Sequence, residues 1–174
     1  MAKHGGPFGR RGLSSILLVA AIVLVVILIA YLMGYISELF MRYEQIEILN
    51  VNAVWNASQR YWEITLKIKN MGSAAATIED ILLNGISISK VKSGGYYANY
   101  RSLDQKPTSA DFGNATTPVS VNITLSSGQE IYLAITLPNG AVMENNSVAT
   151  SGLNLEIKIH TISGKEYPKL IALP

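Results

Sequence analysis

The feature that most constrains this chain is an apolar run, Leu13–Ile36, of 24 residues without a charge or a proline. At about 1.5 Å rise per residue, a helix of this length is roughly 36 Å long, enough to cross a hydrocarbon core of about 30 Å. Its apolar residues occupy every side of the helix rather than one stripe, so they require lipid or an apolar protein environment all round. The run therefore predicts a membrane-spanning helix to which the rest of the chain is attached.

The helical pattern continues beyond this run. Leu39, Phe40 and Tyr43 follow Ile36 at helical spacing, and the segment contains good helix formers and no breaker. We expect one continuous helix from about Leu13 to about Tyr43, within an N-terminal segment that covers residues 13–44.

From Gln45 onward the apolar period changes to two, which is typical of strands with one buried face. Turn signals separate these runs, among them Asn56-Ala57-Ser58-Gln59 and Asn84-Gly85, whereas Lys92–Pro118 reads as one long irregular stretch. The pattern predicts an α+β protein in which residues 45–174 form an antiparallel, immunoglobulin-like β-sandwich of about eight short strands. The apolar residues expected to face the core are Leu49, Val51, Ala53, Trp55, Trp62, Ile64, Leu66, Ile68, Val119, Val121, Ile123, Leu125, Ile131, Leu133, Ile135, Leu137, Leu153, Leu155, Ile157 and Ile159.

Composition gives little support for catalysis. The chain has no cysteine and only two histidines, His4 and His160, which argues against a disulfide framework, a thiolate site, a zinc site or a cofactor. The carboxylates are dispersed; we interpret the adjacent pair Glu79-Asp80 as a solvated turn rather than a calcium site, although calcium is the alternative. We expect no enzymatic activity.

The charges of the first twelve residues indicate how the helix is oriented. Lys3, Arg10 and Arg11 account for three of the 14 basic residues, which leaves 11 basic against 12 acidic residues in the rest of the chain. No basic surface for nucleic acid is implied. A basic leader places the N-terminus in the cytoplasm and the C-terminal domain outside.

The leader MAKHGGPFGRRG and the apolar helix behind it resemble the type III signal of archaeal type IV pilins and archaellins. By this resemblance, a prepilin peptidase cuts between Gly12 and Leu13, after the basic Arg11, and leaves the helix on the mature protein. Bacterial pilins usually carry a glutamate at the fifth mature position, which is Leu17 here, so the likeness is to the archaeal branch. Two other interpretations remain open: a plain single-pass anchor with a basic start, and a twin-arginine export signal.

The β half of the chain is similar to the sandwich domain of the same proteins, in Lys69-Asn70-Met71-Gly72-Ser73, Thr77-Ile78-Glu79-Asp80, Ser127-Gly128-Gln129-Glu130 and Thr161-Ile162-Ser163-Gly164-Lys165. The resemblance implies an adhesive filament subunit that waits in the membrane and then joins an extracellular polymer of itself through its helix. Its other partners would be the peptidase, a membrane platform and an ATPase. The helix side chains expected to mediate assembly are Leu17, Ile22, Val25, Leu28 and Leu32. Alternatives are an archaellin, and a monomeric membrane-anchored binding module of the cell envelope.

Four Asn-x-Ser/Thr sequons begin at Asn56, Asn114, Asn122 and Asn145. About two would arise by chance in a chain this rich in Asn, Ser and Thr, but all four fall in predicted turns, in loops or on an outward strand position. We therefore predict N-glycosylation of an extracellular surface.

Overall fold

The computed structural model describes residues 10–40, 43–143 and 146–174, and the chain divides into two compact units on either side of the Arg42–Tyr43 bond. The first unit contains one helix, α1, Arg10–Phe40, of 31 residues. The helix begins three residues before the predicted Leu13 and ends before the predicted Tyr43. Tyr43 is not helical because its backbone N–H and C=O bond to Ser73 and Ala74 of the second unit.

The second unit is a β-sandwich. Its eleven strands, counted over the described residues, are β1 (Ile46–Asn56), β2 (Tyr61–Asn70), β3 (Ala76–Leu83), β4 (Ile86–Ser87), β5 (Lys92–Ser93), β6 (Tyr96–Tyr97), β7 (Asn99–Leu103), β8 (Ile123–Leu125), β9 (Glu130–Pro138), β10 (Asn154–Thr161) and β11 (Glu166–Ala172). Sheet A has the order β1-β2-β9-β7, and sheet B has the order β11-β10-β3-β4 with β8 also paired to β3. Strands β5 and β6 form a separate two-stranded ribbon. The predicted architecture, an apolar helix followed by antiparallel sheets, is confirmed.

One hydrophobic core lies between the two sheets. Sheet A contributes the inward residues of β2 and β9, and sheet B contributes those of β3 and β10. Ile64, Leu66, Leu133 and Ile157 are fully buried in this cluster. Burying a side chain of this size stabilises the fold by about 1.5–3 kcal/mol. The buried cluster begins at Ile46, so its residues all belong to the second unit.

A β-bulge in β1 and another in β3 change which residues of these strands face the core. In β1 the register skips Leu49, which is exposed, so that Ile48 before it and Val51 after it both pack against the core. In β3 the register skips Glu79, so that Ile78 and Ile81 are both buried. The prediction that Leu49 faces inward was wrong because one extra residue reverses the side-chain alternation.

The stretch Lys92–Pro118, expected to be irregular, contains three short strands and a 3₁₀ turn, Ser109–Asp111. The longest of these strands, β7, pairs with β9 and forms an edge of sheet A. Beyond it, Gly113 N–H donates to the hydroxyl of Thr136 at 3.0 Å. The segment after β7 therefore lies over the outer face of sheet A at β9, where Ala134 and Thr136 are buried.

The Asn84-Gly85 hairpin is confirmed. Both residues have positive φ, 45° and 84°, as a two-residue turn between twisted strands requires. The strands it joins, β3 and β4, pair through Leu83 and Ile86, but β4 is only two residues long.

Candidate functional site

The helix α1 presents apolar side chains on all its sides. Every described side chain from Ser15 to Ile36 is exposed. The predicted assembly residues Leu17, Ile22, Val25, Leu28 and Leu32 are between 49% and 69% exposed. Water is a poor solvent for such a surface, so these side chains favour lipid or a packed apolar partner.

The segment Ser15–Gly34, 20 residues long, has the length and composition to cross a membrane. At about 1.5 Å per residue it is roughly 30 Å long, which matches the hydrocarbon thickness of a bilayer.

The predicted cleavage residues Arg11, Gly12 and Leu13 lie at the start of α1. Residues 1–9 of the predicted leader are outside the described residues, so the junction is placed only by the backbone of residues 10–13. Removal of the leader stays a prediction.

The second unit begins with a short lead-in segment, Tyr43–Gln45, that is tied to two loops of the sandwich. Met71 N–H donates to Gln45 O at 2.7 Å, and Ala74 N–H donates to Tyr43 O at 3.1 Å. From the β10–β11 turn, the Lys165 ammonium donates to the carbonyl of residue 44 at 2.6 Å. The point at which the chain enters the sandwich is therefore fixed by backbone hydrogen bonds.

Asn70 holds the loop that contacts the lead-in segment. It is fully buried, and its side-chain amide donates to Ala74 O at 2.7 Å and Leu125 O at 3.1 Å. Its side-chain oxygen accepts from Gly72 N–H at 2.9 Å. Because a buried amide without partners costs about 1–3 kcal/mol, this saturated network fixes the loop. The local sequence gives no sign that this loop contacts the lead-in segment.

The asparagine side chains of the sequons differ in exposure and in hydrogen bonding. Asn122 is exposed, as predicted for an outward position. The Asn56 amide donates to Glu63 at 2.7 Å, and its oxygen accepts from Gln59 N–H at 3.1 Å. The side-chain oxygen of Asn114 is buried, and Asn145 lies outside the described residues. Among the three sequons that the structure describes, Asn122 is therefore the best placed for modification.

The ion pairs among the described residues lie at the surface of the sandwich. His160 faces outward, with its Nδ1 3.3 Å from a carboxylate oxygen of Glu79. Glu130 pairs with Lys67 at 2.7 Å and Lys69 at 3.0 Å, and the hydrogen bonds from these ammonium groups lower the pKa of Glu130. Across the described residues, no three His, Cys, Asp or Glu side chains are grouped closely enough to hold a metal ion.

The tyrosines of the Lys92–Pro118 stretch are divided between core and surface. Tyr100 packs against the core and its hydroxyl donates to Ser120 O at 3.1 Å, while Tyr96 is exposed. Tyr100 therefore contributes to packing.

The comparisons with known proteins find likeness at the level of structure. No family model and no curated protein matches the chain. Among solved structures, the chain is similar to one described as the structure of the Iho670 flagellar-like filament, with a TM-score of 0.41 and 11% sequence identity over 91% of this chain and 98% of that chain. What can be proposed about function therefore depends on the chain's own residues.

Proposed function

We propose that this chain is a non-catalytic structural subunit of an extracellular filament of the archaeal pilin and archaellin kind. The observation that carries the proposal is the helix α1, which exposes apolar side chains on every side ahead of a sandwich whose buried core begins only at Ile46. A fold that completes its core without the helix leaves that helix free for another environment. A membrane supplies one such environment, and copies of the same helix supply the other.

Assembly would move the helix from the first environment to the second. Before assembly, Ser15–Gly34 spans the membrane with the sandwich outside. After the leader is removed at Gly12, the helices of successive subunits pack together, with Leu17, Ile22, Val25, Leu28 and Leu32 among the contacts. Once out of lipid, each large side chain buried in the bundle stabilises it by about 1.5–3 kcal/mol. A head-to-tail contact that does not close produces a helical filament.

The proposal implies partners and a location. The chain would meet a prepilin peptidase, a membrane platform and an ATPase, and would then become part of an extracellular fibre of its own copies. The sandwich would cover the fibre surface, where its loops and any sugars determine adhesion. Within this proposal, a pilin and an archaellin differ in whether the fibre adheres or rotates.

A monomeric membrane-anchored binding module is the second candidate. The match between the length of Ser15–Gly34 and a bilayer favours it, because an anchor needs nothing more. The two candidates differ in whether the leader is removed and in whether the protein is found in fibres sheared from the cell surface.

N-terminal sequencing of the native protein, from membranes and from a sheared surface fraction, tests the proposal. We expect the mature chain to begin at Leu13 and to be recovered in fibres visible by electron microscopy. An N-terminus upstream of Gly12 on most molecules, with the protein confined to membranes, would favour the anchored module instead.

A further inference from the structure

The outer face of sheet A carries two rows of polar side chains that the strand register brings together. Asn50 of β1 pairs with Lys67 of β2, which pairs with Tyr132 of β9. In the next outward row, Asn52 pairs with Thr65. Since neighbouring inward positions are buried in the core, these five side chains project from the opposite face of the sheet.

These rows form the floor of an open cleft of about 400 Å³, to which Lys106 also contributes from the segment after β7. We call it the outer cleft. Thr65 pairs with Ala134 on β9. Ala134 is buried on the outer face of the sheet, beside the point where Gly113, in the segment after β7, donates to the hydroxyl of Thr136. The cleft is thus a concave site on a rigid sheet, within the usual size range of about 300–1,000 Å³ for small-molecule sites.

The two charged side chains that line the outer cleft are both cations, although Glu63 lies two residues before Thr65 on the same face of β2. These cations are Lys67 and Lys106, and Lys69 follows Lys67 on the same face of β2. The carboxylate of Glu130 pairs with both Lys67 and Lys69, so these three groups together keep a net charge of +1. Among the described residues Lys106 makes no ion pair, and Asp104, two residues before it, is not within ion-pair distance. The cleft therefore favours a ligand with a negative charge.

The uncharged side chains of the outer cleft favour a saccharide over a simple inorganic anion. The amides of Asn50 and Asn52 and the hydroxyl of Thr65 each offer both donors and acceptors, which matches sugar hydroxyls that also donate and accept. A phosphate or sulfate ion at neutral pH mainly accepts hydrogen bonds and would leave the amide oxygens unmatched. The ring of Tyr132, with the Lys67 ammonium 5.9 Å from its centroid, adds apolar surface beside the cation.

We propose that the outer cleft binds an acidic saccharide of the hexuronate class, its carboxylate at Lys106 and Lys67 and its ring hydroxyls at Asn50, Asn52 and Thr65. The inference rests on the proposed function only in placing the sandwich outside the cell, and it does not depend on polymerisation. It identifies the outer cleft as an adhesion site and a sugar acid as the chemical group to which the protein adheres.

The test is calorimetric titration of the full chain, in detergent micelles, with a galacturonic acid trimer. Maltotriose serves as the neutral sugar and sodium acetate as the plain carboxylate. We expect binding of the trimer at least tenfold tighter than of either control. Because the measurement uses unassembled protein, a failure of filament formation would not affect it, and a failure of binding would leave the filament proposal standing.

A charge-matched pair of variants locates the site. Lys106→Gln should weaken trimer binding at least tenfold, whereas Lys90→Gln, which removes the same charge from an exposed position outside the cleft, should change it less than twofold. Asn52→Ala, in the floor of the cleft, should also weaken binding without lowering the melting temperature. Absence of trimer binding at millimolar concentration, equal binding of acetate, or equal effects of the two lysine variants would each overturn the proposal.

Discussion

A methyl group on Gly72 would collide with the backbone of the lead-in segment. An ideal Cβ built there falls against the carbonyl oxygen of Tyr43 and lies 2.7 Å from the nitrogen of Gln45. Both are backbone atoms of a segment held by the bonds from Ala74 N–H to Tyr43 O and from Met71 N–H to Gln45 O, so the segment cannot move away without breaking them. The close approach explains why this loop position is a glycine.

We therefore predict that Gly72→Ala destabilises the protein by about 1–3 kcal/mol, the usual cost of overpacking. Gly113→Ala is the matched control, because a Cβ at Gly113 meets nothing within 4 Å. Denaturant unfolding of both variants in detergent, monitored by circular dichroism, gives the two free energies of unfolding. A change as small for Gly72→Ala as for Gly113→Ala would contradict the packing argument.

The free amide at Asn122 leads to a prediction about modification. We expect peptide mass spectrometry of the native protein to find glycan at Asn122 and little at Asn56, whose amide is hydrogen-bonded on both sides. Asn122→Gln should remove that glycan and leave the melting temperature of the unmodified protein unchanged. Modification at Asn56 with Asn122 bare would show that amide accessibility in the folded sandwich does not decide the site.

Single residues also account for where prediction of the core fails. The strict alternation of Trp62, Ile64 and Leu66 is reproduced in the structure, because β2 has a neighbour on each side and no bulge. Leu49 and Glu79 break the alternation in β1 and β3. Local sequence gives no mark of a bulge, since the extra residue is defined by the partner strand.

Among the elements, β7 and the lead-in segment were not predictable from local sequence. The residues of β7, Asn99–Leu103, lack an apolar alternation, and the strand exists because β9 offers it an edge. The outer cleft has the same origin. Its floor joins Asn50 to Tyr132, which are distant in sequence and become neighbours only when β1, β2 and β9 are in register.

The lead-in segment should contribute measurably to the stability of the sandwich. We predict that the chain shortened to Tyr43–Pro174 is a soluble monomer with a cooperative melt, because its buried core is complete. The chain shortened further to Ile46–Pro174 loses the bonds from Met71, Ala74 and Lys165. At about 0.5–1.5 kcal/mol net per hydrogen bond, it should melt at least about 5 °C lower.

Light scattering of the two shortened chains tests whether they are monomers, and thermal melts test the difference in their melting temperatures. Equal melting temperatures would mean that the lead-in segment is passive. Filaments formed by the Tyr43–Pro174 chain would mean that assembly proceeds through strand exchange between sandwiches, with the helix only an anchor.

At the scale of the whole molecule, the two units differ in the surface that each presents. The helix presents an apolar surface and no described charge between Ser15 and Gly34, whereas the sandwich has its own core and a polar outer face. The apolar helix and the antiparallel sheets were predictable from the sequence, because an apolar run of this length and a change of period at Gln45 are strong local signals. We propose that the helix is the part that assembles.

The most direct test places a charge at the middle of the helix and asks whether fibres form. Val25→Asp costs about 2.5–3.5 kcal/mol at the bilayer centre, a cost that the remaining apolar residues offset, so the protein should still be found in membranes. In a dry helix bundle the same carboxylate recurs in every subunit without a counterion, which is more costly. We expect the Val25→Asp protein to be found in membranes and to form no fibres visible by electron microscopy. Val25→Leu, the control, should form normal fibres. Fibres of normal length from Val25→Asp would contradict the proposal.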